Sequence, residues 1–341
     1  NITHTGTITQ GTNTFGSKNS YSMTIDASSS TDVINFDNSG TISTASRAFL
    51  LGGSTNFTLT NSGTIEGDGY NHDGIDNTTN ALISHESSIV ELGTSGSGAT
   101  IINSGTISAY QTNHHAITIG NDAANAAHSN ATITNSGTIA GSSLGSVGRA
   151  ILIIPASSGT GTSGTTINVK GEAVFTGGID LGKTVSTIVL DSSISTNITI
   201  NIYNYDEDLT ITNNLSGNDT YSLSSVDLDS DDDADDGVLT IIKEPTLSSS
   251  SPADGASGVG VNDNIVLTFS EAVDAESGNI VIKKSSDDSI VETIDVTGSK
   301  VSGSGSTTIT VDPSTTLDQA TGYYITIAAT AFDNASSVSY A

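Results

Sequence analysis

The stretch "TNSGTI" at Thr60–Ile65 decides the fold, because its core pentapeptide recurs along the first half of the chain. The copies of NSGTI stand at Asn38–Ile42, Asn61–Ile65, Asn103–Ile107 and Asn135–Ile139, and a near copy, HTGTI, stands at His4–Ile8. An apolar residue lies two positions before the first residue of each copy, and each copy ends in Ile. Each copy therefore predicts a short strand, a corner at the Gly and a second short strand.

The distances between copies indicate which kind of repeat this is. Successive copies are 34, 23, 42 and 32 residues apart. A helical repeat keeps a fixed period, whereas stacked β coils align only their strands and let the loops vary in length. We therefore predict a parallel β-solenoid over residues 1–243, in which the NSGTI copies stack along one edge. The segment INVKGEA is a degenerate sixth copy, with Ile167, Gly171 and Ala173 in the matching places.

A second landmark follows each corner. It is a small residue followed by an apolar one, and it occurs at Ala48-Phe49, Ala81-Leu82, Ala116-Ile117 and Ala150-Ile151. The pattern "ITNSGTI…G…AI" resembles the repeat of right-handed β-helical regions in autotransporter-type and other large bacterial adhesins, over roughly residues 1–200. The resemblance implies a right-handed parallel β-helix, an extracellular location and a structural or adhesive role.

The repeat pattern ends at Lys243-Glu244-Pro245, where a second domain, residues 244–341, begins. Short alternating segments at regular spacing predict a β-sandwich, with strands at Asn264–Phe269, Asn279–Lys283, Ile290–Val296, Thr307–Val311 and Tyr323–Ala328. The phrases PADGASGV, IVLTFSEAV and LDQATGYYITI resemble a bacterial Ig-like domain of large secreted surface proteins. The expected fold class is thus all-β, a right-handed parallel β-helix followed by an Ig-like β-sandwich.

The charge balance limits the classes of partner. The 341 residues include 37 acidic and 9 basic side chains, which gives a net charge of -28, and there is no Cys. Such a chain repels phosphate backbones and anionic lipid, so we expect no nucleic-acid binding and no membrane insertion. The longest apolar run, Ala150–Pro155, is too short to span a membrane. Together with the two resemblances, this composition predicts a secreted protein of the bacterial cell surface.

The two ends of the sequence predict how copies of the chain associate. Asn1 already lies in the repeat pattern, and the Ig-like pattern stops at Tyr340, before a last strand. Open strand edges invite pairing with another chain. We therefore expect head-to-tail self-association into a filament or surface layer; the alternative is that both edges only reflect where the sequence was cut. Calcium would reduce the repulsion between copies, and surface glycans form a second class of expected partner.

The strongest local signal for a ligand is the acidic stretch DLDSDDDADDG at Asp227–Gly237. Calcium takes several oxygen ligands from a tight loop, and this spacing resembles Asp-rich calcium-binding repeats of secreted proteins. It is not an EF-hand, because Ala234 and Lys243 stand where ligands are required. The alternative is a solvated acidic linker. The predicted Ca²⁺ ligands, within an acidic segment at residues 206–237, are Asp227, Asp229, Asp231, Asp233, Asp235 and Asp236.

A polysaccharide lyase or hydrolase is the alternative function, since such enzymes also use right-handed β-helices. A lyase needs a Lys, Arg or His base beside acidic groups, and a glycosidase needs two carboxylates at a set separation. The second landmark aligns Arg47, Asn80, His115 and Arg149, either as a glycan-facing stripe or as ordinary outward positions. No paired-acid motif accompanies them. We therefore predict a stalk, filament or surface-layer building block that is not an enzyme, with polysaccharide binding or degradation as the alternative.

Overall fold

The computed structural model describes thirteen stretches of the chain, and its described residues form strands and turns without any helix. The described residues are 2–9, 23–26, 33–44, 48–52, 56–67, 88–92, 98–110, 114–120, 130–143, 148–154, 163–205, 209–229 and 235–340. None of them forms a helix long and apolar enough to cross a membrane. The chain divides into two compact units, which we call the repeat unit (residues 1–215 and 222–240) and the sandwich unit (residues 216–221 and 241–341).

Three sheets, here called A, B and C, contain the strands of the repeat unit, which are numbered in chain order. Sheet A has the order β1 (Ile2–His4), β4 (Val33–Asn38), β7 (Asn56–Asn61), β10 (Thr100–Asn103), β13 (Thr132–Asn135), β16 (Ser163–Val169), β19 (Val185–Leu190) and β21 (Thr210–Asn213). Sheet B has the order β2 (Thr7–Thr9), β5 (Thr41–Thr44), β8 (Thr64–Gly67), β11 (Thr106–Ala109), β14 (Thr138–Ala140) and β17 (Val174–Thr176).

Sheet C runs through β3 (Met23–Asp26), β6 (Phe49–Gly52), β9 (Ser88–Leu92), β12 (His115–Ile119), β15 (Ile151–Ile153), β18 (Ile179–Asp180), β20 (Ile198–Tyr203), β23 (Gly237–Ile242) and β22 (Thr220–Ser225). Adjacent strands from β1 to β21 in sheet A, from β2 to β17 in sheet B and from β3 to β20 in sheet C pair in parallel. Up to β18, successive strands therefore enter sheets A, B and C in turn.

The predicted alignment of the NSGTI copies is confirmed. Asn61 lies in register with Asn38 on one side and with Asn103 on the other, and Asn103 with Asn135. The terminal Ile of each copy forms a second buried column in sheet B. Alternate residues of a strand face the same side of the sheet, so one fixed pattern places both columns in the core. β-Branched Ile and Val suit these positions because they pack well on a pleated surface.

The Asn residues of the repeat form a buried ladder of side-chain amides. Nδ2 of Asn38 donates to Oδ1 of Asn61 at 2.7 Å, Nδ2 of Asn61 to Oδ1 of Asn103 at 2.8 Å, and Nδ2 of Asn103 to Oδ1 of Asn135 at 2.9 Å. Each Nδ2 also donates to the carbonyl of the Gly two residues later and to a carbonyl of the next strand in sheet B. These bonds satisfy polar groups that would be costly to bury unpaired.

The corner Gly is required because successive corners stack closely. A Cβ added at Gly63 would lie 2.0 Å from the carbonyl oxygen of Gly40, and one added at Gly105 would lie 2.0 Å from that of Gly63. No side chain fits at such a distance from a backbone atom. The pentapeptide therefore keeps Asn for the ladder, Gly for the stacking and Ile for the core, which explains why it recurs while the loops differ.

Two sequence alignments are wrong in detail. In INVKGEA the residue equivalent to the Ile of the repeat is Phe175, not Ala173, because the corner before it is longer, and Val169 takes the place of Asn. In sheet C the residue equivalent to His115 on the preceding strand is Ser88, not Asn80. A small residue followed by an apolar one is common in this composition, so it identifies a strand poorly; residue 80 lies outside the described residues.

The sandwich unit contains two antiparallel sheets around one core. One sheet has the order β24 (Leu247–Ser251), β25 (Ile265–Ala275), β29 (Ser306–Val311) and β28 (Val301–Ser302), with β31 (Phe332–Asp333) also paired to β25. The other has the order β27 (Ile290–Asp295), β26 (Asn279–Lys284) and β30 (Tyr323–Ile327). Both contribute to a single buried cluster that includes Leu267, Phe269, Ile282, Ile294 and Phe332. The five strands predicted from the sequence are all present, with boundaries shifted by up to six residues.

Candidate metal centre

The described part of the acidic segment places three carboxylates close together. Asp227 and Asp229 follow β22 and are exposed, whereas Asp236 precedes β23 and is buried. One carboxylate oxygen from each lies within 4.8 Å of the others. Oxygen ligands at such separations suit a hard divalent cation, and three like charges so close together repel one another without one. This cluster, the acidic triad, is the candidate metal centre.

Asp236 is the fixed member of the triad. Its Oδ1 accepts the backbone N–H of Asn204 at 2.9 Å, and its Oδ2 accepts the backbone N–H of Leu228 at 3.0 Å. The backbone carbonyl of Asp236 also accepts the N–H of Val226 at 3.0 Å. A carboxylate has about four lone-pair positions, so these bonds leave acceptor capacity for a cation. The residues are held because β22 and β23 are neighbours in sheet C and the acidic loop connects them.

The other predicted metal ligands fall elsewhere. Asp235 is not in the triad: its Oδ2 lies 2.7 Å from Nζ of Lys183, and its carbonyl accepts the N–H of Tyr205. Asp231 and Asp233 lie outside the described residues. Asp235 therefore has a cation partner of its own, which the sequence did not indicate because Lys183 is distant along the chain.

Two of the residues considered for a glycan-facing stripe are described by the structure, and both are buried. His115 and Arg149 are 1% and 4% exposed, so neither is the outward position that the sequence pattern indicated. Nδ1 of His115 accepts the backbone N–H of Arg149 at 2.9 Å, and the carbon at the centre of the Arg149 guanidinium lies 3.5 Å from the centre of the Tyr203 ring. Arg47 and Asn80 lie outside the residues whose side chains are described.

Arg149 belongs to a polar cluster centred on Asp180, which no sequence pattern indicated. Nε of Arg149 lies 3.8 Å from Oδ2 of Asp180, and Oδ1 of Asp180 accepts the N–H of Gly182 and Nδ2 of Asn204, both at 3.1 Å. Burial raises the pKa of the Asp180 carboxyl above its ordinary value, and the Gly182 N–H and the Arg149 charge oppose that effect only in part. The one sequence signal was a polar residue between the buried residues Ile179 and Leu181.

A shallow depression on the repeat unit adjoins this cluster. It encloses about 320 Å³ and is lined by Leu152, Ile153, Ile154, Asp180, Gly182, Lys183 and Asn204. Lys183 and Asn204 both have positive φ, 53° and 49°, and the N–H of Lys183 donates to the carbonyl of Asn204 at 2.6 Å. Lys183 forms an ion pair with Asp235, and the backbone N–H of Asn204 donates to Asp236. These two contacts join the depression to the acidic segment.

Comparison with known proteins identifies the C-terminal part of the chain. Residues 242–341 match the family model Big_5, the bacterial Ig-like domain, which confirms the resemblance seen in the sequence. Domains of this family are typical of large bacterial surface proteins. The family match does not extend to the residues before 242. No curated protein and no solved structure matches the chain.

Proposed function

We propose that this chain is part of an extracellular bacterial surface protein with a structural or adhesive role, as a stalk, a filament or a surface-layer building block. The match of residues 242–341 to the bacterial Ig-like family carries the proposal, because such domains are found in bacterial surface proteins. The repeat unit supports it, since backbone pairing continues from strand to strand and the Asn ladder joins successive corners. Continuous hydrogen bonding of this kind resists stretching of the unit in the direction in which the strands pair.

Surface labelling of the native bacterium tests this role. Antibodies raised against the whole chain should label intact cells or material shed from them, and brief protease treatment of intact cells should remove the label. Antibodies against a cytoplasmic protein serve as the control for lysis. Label found only after cells are opened would contradict the proposal.

The three parallel sheets are best explained as a right-handed parallel β-helix. Each sheet takes every third strand up to β18, and parallel strands joined by a crossover in the same sheet are right-handed in about 98% of cases. Stacked coils then lie about 4.8 Å apart. The absence of Cys makes this stacking easy to test with introduced disulfides.

A disulfide between corners distinguishes neighbouring from distant coils. Ser62, Ser104 and Ser136 are exposed and occupy equivalent corner positions. A disulfide needs Cα atoms about 4.4–6.8 Å apart, which neighbouring coils provide and coils two apart do not. Oxidation should link the Ser62→Cys/Ser104→Cys pair and leave the matched Ser62→Cys/Ser136→Cys pair reduced. Equal linkage of both pairs would contradict the proposed stack.

Calcium binding at the acidic triad is the second part of the proposal. The cation would contact Asp227, Asp229 and Asp236, and it would relieve the repulsion among their charges. An ion bound at the triad stabilises the folded chain by mass action, since the unfolded chain lacks the site. The expected partner is a second copy of the chain. Each copy has a net charge of -28, and calcium also reduces the repulsion between copies. Sedimentation velocity with calcium or with a chelator tests that association, and monomers under both conditions would rule it out.

Polysaccharide binding is the second candidate function. It is favoured by the cluster of Asp180, Arg149, Tyr203, Lys183 and Asn204 beside an open depression. We do not propose catalysis, since the chemistry of glycoside cleavage requires a positioned acid and base or nucleophile acting on one bond. Incubation with bacterial and algal polysaccharides should yield no new reducing or unsaturated ends. Cleavage of any of these polysaccharides that is lost in the Asp180→Asn variant would contradict the expectation that the chain is not catalytic.

A further inference from the structure

The depression beside Asp180 contains two hydrogen-bond acceptors that the described residues leave unused. Oδ1 of Asp180 accepts two hydrogen bonds, but no described residue donates one to Oδ2, whose ion pair with Arg149 is 3.8 Å long. Asn204 uses its Nδ2 to hold Asp180, and no described residue donates to its Oδ1. The side chain of Asp180 is 13% exposed and lines the depression, so a ligand there can donate a hydrogen bond to this oxygen. Burial raises the pKa of Asp180 above its ordinary value although Gly182 and Asn204 donate to its other oxygen.

The charges around the depression select against ionic ligands. Arg149 and Lys183 carry positive charges, and Asp180 and Asp235 carry negative ones, in two ion pairs. Charges of both signs therefore surround the depression, so an ionic ligand meets repulsion as well as attraction there, whereas a neutral ligand meets neither. The site therefore suits a neutral ligand that can donate two hydrogen bonds at neighbouring positions.

The remaining walls fit the same kind of ligand. Leu152 and Ile154 are half-buried and offer aliphatic surface, while the side chain of Lys183 is 54% exposed and its ammonium has three donors. A pyranose ring combines an apolar C–H face with adjacent hydroxyls that donate and accept. The open shape of the depression admits one residue of a longer chain as well as a free sugar.

We propose that the Asp180–Asn204 depression binds a neutral hexose residue of a glycan, with two vicinal hydroxyls donating to Oδ2 of Asp180 and Oδ1 of Asn204. The C–H face of the sugar packs against Leu152 and Ile154, and Lys183 donates to a further hydroxyl. This proposal rests on the adhesive role proposed above, and it adds the class of ligand that the site would bind. The labelling of intact cells remains a separate test, so failure of one does not imply failure of the other.

Saturation-transfer NMR on the whole chain tests the proposal with defined probes. The probes are the methyl pyranosides of glucose, galactose and mannose, together with trans-1,2-cyclohexanediol, and cyclohexanol is the control with one hydroxyl. At least one pyranoside should bind with a Kd on the order of 1 mM, and cyclohexanol should not. No transfer to any of the three pyranosides or to the diol would overturn the proposal, as would equal transfer to cyclohexanol.

Two variants locate the site. Asp180→Asn replaces the carboxylate with an amide, which presents either a donor or an uncharged oxygen at the position of Oδ2. Asn204→Gly removes the other acceptor, and Gly tolerates the positive φ of that position. Each should weaken binding at least tenfold. The matched control Asp191→Asn alters a carboxylate paired with Lys170 and should leave binding unchanged. If Asp180→Asn unfolds, Asn204→Gly alone decides, and binding retained by a folded Asn204→Gly variant would refute the assignment.

Discussion

Replacing Asn103 by Val removes one member of the buried amide ladder and tests what the ladder contributes to stability. Asn103 is 1% exposed and makes four side-chain hydrogen bonds: Nδ2 donates to Gly105, Asn135 and Thr138, and Oδ1 accepts from Asn61. The chain itself shows that Val fits such a position. Val169 occupies the equivalent place two strands further along sheet A and is fully buried.

The expected cost follows from these contacts. The two N–H groups of Nδ2, shared among three acceptors, and the acceptor Oδ1 together contribute about 3 kcal/mol, and the buried polar groups left without a partner add about 2 kcal/mol or more. Burying the Val side chain returns about 2 kcal/mol. Asn103→Val should therefore lower the free energy of unfolding of the repeat unit by about 3 kcal/mol.

Hydrogen exchange measured by mass spectrometry locates this loss. Amides in peptides covering residues 98–110 should exchange about a hundredfold faster in Asn103→Val, while peptides of the sandwich unit should not change. The matched control is Asn168→Val, since Asn168 is half-buried on β16, two strands away in sheet A, and among the described residues its side chain makes one hydrogen bond, to Thr134 at 3.2 Å. The control should cost less than about 0.5 kcal/mol. Equal exchange rates for the amides of residues 98–110 in the two variants would refute the claim that the amide ladder stabilises the fold.

Three further changes have defined outcomes. Calcium at a hundred times its Kd should stabilise the chain by about 2.7 kcal/mol, as measured by calorimetry, and Asp229→Asn should remove most of that gain; a calcium effect unchanged in the variant would place the ion elsewhere. In the sandwich unit, burial raises the pKa of Glu292, but the Lys300 ammonium and the backbone N–H groups outweigh it and lower the pKa from 4.5 to about 2. Glu292 therefore contributes about 3 kcal/mol above pH 4.5, which is lost as the pH falls from 4.5 to 2; Glu292→Gln should flatten that part of the stability curve, and an unaltered curve would contradict the assignment. Gly63→Ala places a Cβ 2.0 Å from the Gly40 carbonyl and should cost more than about 4 kcal/mol in urea unfolding, so a near-neutral result would refute the close stacking of corners.

The sequence by itself determined the stacking of the repeats and the class of the second domain. Strand register follows from a period of two, so the fixed places of Asn61, Gly63 and Ile65 within each copy were enough to align successive strands. The same pattern could not identify strands outside the copies. Ser88, and not Asn80, aligns with His115 in sheet C, because the sequence from residue 68 to residue 87 carries no periodic signal. Phe175 takes the place predicted for Ala173 because one corner is longer.

Only the tertiary structure decided how the charged residues are arranged. The sequence grouped six acidic residues by proximity along the chain, but Asp236 is fixed by the N–H of Asn204 and Asp235 is paired with Lys183. Both partners are distant along the chain, in the turns that follow β20 and β18. The sequence pattern also treated His115 and Arg149 as outward positions, whereas both are buried and Arg149 faces Asp180. A pattern along one strand specifies which side of a sheet a residue faces. Which partners meet it there depends on the neighbouring strands and on the lengths of the loops between them, and those lengths follow no repeat.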